Sequence, residues 1–293
     1  MSDLSQFLCR TSFRDTVTFI LDGAQVDLDS SALPAVTITR PDGTTVTPGT
    51  IDRTAVGTYR VLIPAQVDPT LLTIAWTGNV SGISQTLLTY AEVIGGFLFT
   101  LPAAKAWDGG AIPAAGVSDA DILAKRVELG DDFQRICGVS FFPRYAREVL
   151  DGDNSGQLLV RHHAPEGGRL RLLSVSVGGV AQNLAGYTLH PDGTLEATAA
   201  YLPAGYFPRG RQNVVVEYVH GWGQVPAPVS TAALIVARVQ LVPSNLGDRA
   251  TSISTDQGVI SLATAGRGAF QPYGIPAVDS RLARFDETVP AVG

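Results

Sequence analysis

The sequence predicts an α+β protein of several domains, with an N-terminal antiparallel β-sandwich, a domain of a few α-helices and an extended C-terminal arm. Residues 13–94 consist of short strand-like runs separated by polar turns, with no helical stretch among them. Further along, two segments have helical character, and a β-rich insertion at about 140–220 separates them. The 293 residues are enough for roughly two domains of ~100–200 residues each.

The composition excludes several classes of protein. Hydrophobic residues make up 45% of the chain, charged residues 16%, and the formal net charge is −6. Disordered chains are poor in apolar residues, and proteins that grip DNA phosphates are basic, so neither class fits. Two cysteines cannot form a disulfide scaffold, and we expect both to be free thiols.

No segment is predicted to enter a membrane. The most apolar stretch, 93–101, falls well short of the ~20 apolar residues that a spanning helix needs. The N-terminus lacks the basic and apolar regions of a signal peptide. We therefore expect a chain kept in a reducing, cytoplasm-like compartment, whose excess apolar surface meets another protein chain.

Residues 1–97 are predicted to form the β-sandwich. The run Ala35–Thr39 alternates apolar and polar residues, and a Pro-Asp-Gly turn at 41–43 follows it. No cysteine pair flanks Trp76, so the likeness to immunoglobulin domains is one of architecture, and Trp76 is expected in the core. The predicted strands are 16–21, 35–39, 57–63, 71–76 and 86–93.

A first helix is predicted after a boundary segment, 98–117, that is rich in Gly, Pro and Ala. Ser118 and Asp121 have the spacing of a capping box, and Gly138 is suited to the left-handed residue that ends a helix. We expect one apolar face, made of Leu123, Val127, Gly130, Phe133 and Cys137.

A second helix, 229–242, is predicted after the β-rich insertion, whose candidate strands are 147–150, 157–160, 170–177 and 213–219. Prolines flank this helix, and its side chains are apolar on nearly every side. Other protein segments must therefore pack against it on all sides. It is therefore either a central core helix or a helix partly covered by a neighbouring subunit. The second reading predicts a subunit interface made of Leu234, Ile235, Arg238, Val239 and Leu241.

The helical domain is thus predicted to span 118–243, and residues 244–293 to form the C-terminal arm. The arm is rich in Gly, Ser and Pro and ends in a short helix-like piece, 276–285. Because such a segment has little core of its own, we expect it to become ordered on binding a partner.

No motif points to catalysis, to a metal or to a cofactor. The adjacent His162 and His163 cannot share one face of a strand, and no Cys or carboxylate stands at a zinc-like spacing from them. The segment 151–156 resembles a calcium loop but has His162 where the bidentate Glu should be, and it is interpreted as a hairpin turn. We therefore predict no enzyme, no catalytic residue, no metal and no cofactor.

The order of parts resembles the head-to-tail adaptor (connector, head-completion) proteins of long-tailed double-stranded DNA phages, over roughly residues 116–286. Each of the four stretches that carry the resemblance is short, and their order along the chain adds weight to it. They are 118–126 running into 133–144, then 148–152, then 207–222 leading through Val225-Pro226 into the apolar helix, and 252–258 with 274–282. The N-terminal domain looks like immunoglobulin-like sandwiches that are appended to phage structural proteins.

The resemblance implies a structural protein of the virion neck, made in the host cytoplasm. It implies a homo-oligomeric ring, commonly a dodecamer, that sits beneath the portal protein and joins the capsid to the tail. Its other partners would be the next neck (stopper) or tail-completion protein, and the double-stranded DNA that passes through the lumen without sequence-specific binding. Asp279, Leu282 and Arg284 are the arm residues predicted to contact the portal.

A second reading is a binding module of the tail or baseplate, in which the β-sandwich recognises host carbohydrate. Tyr59, Trp76 and Tyr90 are the aromatic residues that would stack on sugar rings. All three lie within strand-like runs, which favours core packing over sugar binding. A hydrolase, the third class, would need a cleft that the sequence does not reveal.

Overall fold

A computed structural model describes residues 5–29, 32–110, 112, 116–164, 167–198, 206–242, 252–255, 258–261 and 272–286. The chain has a mixed α+β fold and divides into two compact units. Unit 1 comprises Met1–Gly96 and Pro143–Gly221, and unit 2 comprises Phe97–Phe142 and Trp222–Gly293. Unit 1 is built mainly from strands, whereas the α-helices of the described residues lie in unit 2.

The N-terminal part of unit 1 consists of two sheets over one shared core. One sheet has the strand order β1-β10-β9-β5-β6, with β1 parallel to β10, and the other has the order β2-β8-β7. A short hairpin, β3–β4, extends beyond them. The bounds are β1 Ser5–Leu8, β2 Phe13–Thr18, β3 Ile20–Leu21, β4 Ala24–Gln25, β5 Ala35–Thr39, β6 Thr45–Val46, β7 Ile51–Ala55, β8 Thr58–Ile63, β9 Thr70–Val80 and β10 Ile83–Ile94.

This core explains the alternating sequence pattern of the strands. In β8 and β9 every second residue is buried, because successive side chains of a strand point to opposite faces. Trp76 and Tyr59, from different sheets, are 0% and 1% exposed. The indole nitrogen of Trp76 donates to Thr89 Oγ1 over 3.1 Å. The prediction that Trp76 lies in the core is confirmed.

The second part of unit 1 contains two further sheets with their own core. Their strand orders are β11-β17-β13-β14 and β12-β16-β15. Buried apolar residues between them include Val175, Leu195, Phe207, Val214 and Val216. The bounds are β11 Arg144–Gly152, β12 Gln157–Leu159, β13 Gly168–Val177, β14 Val180–Ala181, β15 Tyr187–Leu189, β16 Thr194–Ala197 and β17 Gly210–Trp222.

The two parts of unit 1 are joined by close contacts. The Gly95 amide donates to the Pro143 carbonyl over 2.7 Å, and the Arg144 guanidinium forms a buried ion pair with Glu92. The structure thus groups the β-rich insertion with the N-terminal strands, whereas the sequence analysis assigned it to the helical domain. The difference arises because β11 contacts β9 and β10 of the N-terminal part, a long-range contact that local patterns do not encode.

Unit 2 contains helices α1 Leu101–Ala106, α2 Asp119–Cys137, α3 Ala227–Leu241 and α4 Pro276–Leu282, together with a hairpin of β18 Ser252–Thr255 and β19 Gly258–Ser261. Helix α1 lies inside the predicted boundary segment 98–117. Its N-cap, Thr100, accepts a hydrogen bond from the Ala103 amide, and Pro102 stands in its first turn, where a missing N–H removes no helical bond.

The ends of α2 are as predicted, and its buried face differs in part. Ser118 and Asp121 form the capping box, and Gly138 ends the helix with φ 75°. Of the predicted face, Gly130, Phe133 and Cys137 are buried, whereas Leu123 and Val127 are half-buried. Ile122 and Leu129 are buried in their place, so the apolar face is rotated towards them.

Gly130 has a packing reason for its position inside α2. A side chain there would come within 3.3 Å of the Phe142 ring, so the glycine makes room for that aromatic residue. The helix thus accepts a residue that lowers helix stability by ~1 kcal/mol relative to alanine.

Candidate interaction surface

Helix α3 is largely buried in unit 2 and has an exposed C-terminal end. Six of its residues are buried, namely Val229, Ala232, Ala233, Leu234, Val236 and Ala237. Most of them are small, which lets neighbouring backbones approach closely. Arg238, Val239 and Gln240 are exposed, and Val239 retains 56% of its accessible surface.

The five residues predicted for a subunit interface therefore separate into two groups. Leu234 is 5% exposed and belongs to the core of unit 2. Ile235 and Leu241 are half-buried, and Arg238 and Val239 are exposed. The last turn of α3 thus offers the surface that a neighbouring chain could reach, and Leu234 does not contribute to it.

The exposed end of α3 combines an apolar side chain with a charged one. Arg238 Nη1 lies 3.5 Å from Asp108 Oδ2, and both side chains are more than half exposed. Such an exposed pair contributes little to stability, so it can rearrange to meet a partner. Arginine is among the residues that are enriched in protein interfaces.

The C-terminal segment 272–286 packs against the rest of unit 2. Val278 and Leu282 of α4 are 0% and 2% exposed, and the Cys137 sulfur lies 3.8 Å from the Leu282 carbonyl oxygen. Asp279 is 5% exposed, and its Oδ1 accepts a hydrogen bond from the Tyr273 amide over 3.1 Å. This part of the predicted arm therefore contributes to the core of unit 2, because the apolar face of α4 is buried within the chain.

Aromatic rings hold the C-terminal segment in place. Tyr273 packs edge-on against Phe133 at 5.6 Å between ring centroids. Phe285 packs in the same manner against Phe141, at 5.6 Å, and against Trp222, at 5.8 Å. Edge-to-face pairs of this kind stabilise a packed core beyond the area that they bury.

Of the residues predicted to contact the portal, Arg284 is exposed, whereas Asp279 and Leu282 are buried within unit 2. The sequence analysis treated 244–293 as one arm and had no signal for this internal packing. The predicted arm residues 244–251, 256–257, 262–271 and 287–293 lie outside the described residues.

A half-buried cation lies on α2. The Arg126 guanidinium stands over the Phe97 ring, 3.4 Å from its centroid. Burial lowers the pKa of Arg126 to about 10. The ring face supplies the favourable electrostatic contact that water would otherwise provide.

Unit 1 contains a buried polar cluster that the sequence analysis missed. The rings of His162 and His220 stack at 3.8 Å between centroids and 15° between planes. His162 Nδ1 lies 2.8 Å from the Tyr218 hydroxyl, which in turn donates to Glu148. Burial lowers the pKa of His220 to about 3 and also lowers the pKa of His162.

The cluster could not be found from sequence because β17 brings Tyr218 and His220 to a loop residue more than fifty positions earlier. His162 lies in the segment that follows β12 and is half-buried. His220 is 4% exposed on β17, whose alternation places it on the same face as Tyr218. The cluster consists of two neutral imidazoles, a tyrosine and one carboxylate. It connects β11 and β17 to the segment that contains His162.

The calcium-like segment 151–156 does not form the predicted hairpin turn, because β11, which ends at Gly152, pairs with β17, whereas β12, which begins at Gln157, pairs with β16. Asp153 Oδ1 accepts from the Ser155 amide over 2.8 Å, and Asp151 Oδ1 accepts from the Gln212 amide over 2.5 Å. Among the described residues, no group of three or more His, Cys, Asp or Glu side chains is arranged to hold a metal ion.

A cleft of about 400 Å³ opens in unit 1, lined by polar residues that include Arg40, Gln66, Asp68 and Glu217. Glu217 accepts hydrogen bonds from the Tyr145 hydroxyl, at 2.8 Å, and from Ser174 Oγ, at 2.7 Å. Both carboxylate oxygens thus have donors within the protein.

The aromatic residues named for the carbohydrate-binding hypothesis do not form a surface on which sugar rings could stack. Tyr59 and Trp76 are buried in the sandwich core, and Tyr90 is half-buried. A sugar-binding platform presents ring faces to solvent, so Tyr59 and Trp76 cannot contribute to one. In the part of the chain that the structure describes, no helix is both long and apolar enough to cross a membrane.

No protein-family model and no curated protein sequence matches the chain. Among solved structures, the neck of an empty gene transfer agent particle matches with a TM-score of 0.39 and 19% identity, over 63% of this chain and 88% of that chain. The virion of a native gene transfer agent particle matches with a TM-score of 0.41 and 16% identity, over 66% and 90%. A DUF4785 family protein from Legionella pneumophila matches with a TM-score of 0.24 and 7% identity, over 75% and 46%.

Proposed function

We propose that this chain is a structural protein of the neck of a phage-like virion, where it forms a ring beneath the portal and joins the capsid to the tail. The observation that carries the proposal is the way in which the stretches resembling head-to-tail adaptors come together. Parts of three of the four stretches lie on α2, α3 and α4. These helices belong to one unit, in which Cys137 of α2 contacts Leu282 of α4.

The long separation in sequence makes this convergence informative. Residues 118–144 and 274–282 are more than a hundred positions apart, yet the Cys137 sulfur of the first lies 3.8 Å from the Leu282 carbonyl oxygen of the second, and Phe133 packs against Tyr273, the residue before the second stretch. A chance likeness in short segments would not require them to meet. Their meeting supports a shared helical adaptor core, with the sandwich of unit 1 as an appended part.

A ring needs head-to-tail contacts between identical subunits, in which two different surfaces of each copy meet. The exposed end of α3, with Val239 and Arg238, supplies one candidate surface. The half-buried Ile235 and Leu241 lie on the same helix and extend that surface.

The remaining partners follow from the same proposal. The portal binds on one side of the ring and the next neck or tail-completion protein on the other, and Arg284 is the exposed arm residue available for such a contact. Double-stranded DNA passes through the lumen without sequence-specific binding. The net charge of −6 favours passage, because the 27 acidic side chains outnumber the 21 of Lys and Arg. The chain performs no catalysis in this role.

The experiment that tests the proposal removes the chain from particle assembly. Without it, filled heads and separate tails should accumulate, and adding the purified protein should join them. Buffer and heat-unfolded protein serve as controls. Intact, infectious or gene-transferring particles assembled without this chain would contradict the proposal.

A further inference from the structure

Arg126 of α2 holds a positive charge on the buried side of its helix. It follows the buried Ile122 by four residues and precedes the buried Leu129 by three, and residues at these spacings share one face of a helix. Its guanidinium stands over the Phe97 ring, 3.4 Å from the centroid, and its Nε is buried without a hydrogen-bond partner. The residue as a whole is half-buried, so part of the side chain remains reachable from solvent.

Other basic side chains of unit 2 show what Arg126 lacks. Four of them lie near a carboxylate, with nitrogen–oxygen distances of 2.6 Å for Lys105–Asp119, 2.6 Å for Lys125–Glu128, 2.5 Å for Arg135–Asp132 and 3.5 Å for Arg238–Asp108. Arg126 has no ion pair with any residue that the structure describes, and no carboxylate offsets the effect of burial on its pKa. The Phe97 ring compensates the cation only in part, because a ring face is a poor hydrogen-bond acceptor for the guanidinium donors. A partly desolvated cation without such partners is costly, and costly charges cluster at functional sites.

The surroundings of Arg126 favour a single carboxylate over the phosphates of DNA. Helix α2 carries five acidic side chains and three basic ones, and the whole chain is acidic, so a polyanion would be repelled there. A lone carboxylate can meet the planar guanidinium through two parallel hydrogen bonds. The ring contact already holds the guanidinium in place, so little side-chain freedom is lost when the carboxylate binds.

A neighbouring copy of this chain is the source of the carboxylate that the charges favour. The chain has 27 acidic side chains and 21 of Lys and Arg, so every copy presents acidic side chains in excess. A head-to-tail contact joins two different surfaces of each copy, and the end of α3 is a candidate for one of them. Arg126 lies in the same unit on a different helix, and each copy in a closed ring can both provide a carboxylate and receive one.

We propose that, in the assembled ring, Arg126 forms a bidentate ion pair with a side-chain carboxylate of the neighbouring copy, which makes α2 part of the subunit contact. This inference rests on the proposed ring and adds a second surface to it. The ion pair is absent from the isolated subunit, so the charge of Arg126 serves assembly and not the stability of the single chain.

Arg126→Met tests this division, because methionine keeps an unbranched apolar stem and removes the charge. The urea midpoint of the isolated protein should stay the same or rise, since an unpaired and partly desolvated cation is lost. The protein concentration needed for half-maximal ring formation with portal, measured by sedimentation velocity, should rise by about tenfold or more. Arg135→Met is the matched control. The Arg135 side chain is 77% exposed and pairs with Asp132 of the same helix, so that variant should form rings like the wild type.

Arg126→Lys identifies the chain that supplies the carboxylate. Lysine keeps the charge but loses the planar fork, so this variant should assemble with an affinity between those of the wild type and Arg126→Met. Rings are built from equal amounts of isotopically labelled and unlabelled variant, and a carbodiimide joins the new amine to a carboxylate in contact with it. Mass spectrometry should then find cross-links between labelled and unlabelled peptides that wild-type rings lack, although those rings also contain Lys105 and Lys125.

Several results would overturn the inference and leave the ring in place. They are equal ring formation by Arg126→Met and the wild type, cross-links confined to one chain or to the portal, and a lower urea midpoint for Arg126→Met, which would mean that the subunit already compensates the cation. Normal Arg126→Met rings that bind a short DNA duplex more weakly than wild-type rings would assign the cation to phosphates instead. If the wild-type chain forms no ring and is absent from particles, the proposed function and the inference fail together.

Discussion

The stacked imidazoles of His162 and His220 make the stability of unit 1 depend on pH. His220 is 4% exposed, and its pKa is lowered to about 3 by burial, with the nearby His162 and Arg144 adding to the effect. The pKa of His162 is also lowered, mainly by burial and against the pull of Glu148. Because both folded pKa values lie below the unfolded value of ~6.5, the stabilisation is present above pH 6.5 and lost as the pH falls.

We expect the free energy of unfolding to drop by about 2 kcal/mol between pH 7 and pH 5 through His220 alone, since the unfolded chain takes up a proton that the folded chain excludes. Urea denaturation at the two pH values measures this drop. His220→Gln should remove most of it. His190→Gln, at a side chain that is 41% exposed, serves as the control and should leave the drop unchanged.

An equal pH dependence in His220→Gln and in the wild type would contradict this account of the cluster. The cluster also marks a limit of sequence reasoning at the residue scale. Trp76 and Tyr59 could be placed in the core because strand alternation is local. The meeting of His162 with Tyr218 depends on tertiary folding, which no local pattern encodes.

At the scale of elements, the start of α2 depends on one hydroxyl. Ser118 Oγ accepts from the Asp121 amide over 3.1 Å, and the Asp121 carboxylate accepts from the Ser118 amide at the same distance. Ser118→Ala is expected to lower the free energy of unfolding by ~1 kcal/mol, because the Asp121 amide loses its acceptor and the capping box loses one of its two hydrogen bonds. Ser118→Thr keeps the hydroxyl and should lower the free energy of unfolding by no more than a few tenths of a kcal/mol.

Chemical denaturation of the two variants beside the wild type tests the capping argument. Similar losses in Ser118→Ala and Ser118→Thr would contradict the capping argument. The capping box was predictable because it is encoded within four residues, whereas the rotated face of α2 was not, because Phe142 and the C-terminal segment decide which side is covered.

Helix α3 allows core and surface to be tested separately. Leu234→Ala should destabilise the subunit by ~2–5 kcal/mol, because it leaves a cavity in unit 2. Val239→Lys should change the free energy of unfolding by ~0.5 kcal/mol or less, since the side chain is exposed and a cation suits the end of a helix.

The same Val239→Lys chain should nevertheless fail to form rings, because the charge would be buried at the subunit contact. Val180→Lys, at an exposed valine of unit 1, is the matched control and should assemble normally. Sedimentation velocity of the three proteins, in the presence of portal, measures assembly. If the Val239→Lys protein formed normal rings, the end of α3 would not be part of the subunit interface.

At the scale of the whole molecule, most elements could be predicted and their grouping could not. The strand at 35–39 and the helix at 229–242 were found within two residues of their observed bounds, because periodicity, proline and turn residues are local signals. The insertion was assigned to the helical domain, although it shares a unit with the N-terminal strands. That grouping depends on contacts such as Arg144–Glu92, which join distant parts of the chain.

The chain is rich in apolar residues, and only 16% of its residues are charged. The apolar surface in excess was predicted to contact another protein chain. Part of it instead fills unit 2, where α3 and α4 bury their apolar sides within the subunit. Among the described residues of unit 2, Val239 at the exposed end of α3 is an apolar side chain that remains available to a partner.

The ring itself is the central claim, and native mass spectrometry of the purified protein with and without isolated portal tests it most directly. We predict a closed homo-oligomer that binds the portal, seen as one complex of defined subunit number and as a ring with an open lumen in particle images. A monomer whose mass and shape do not change when portal is added would contradict the account.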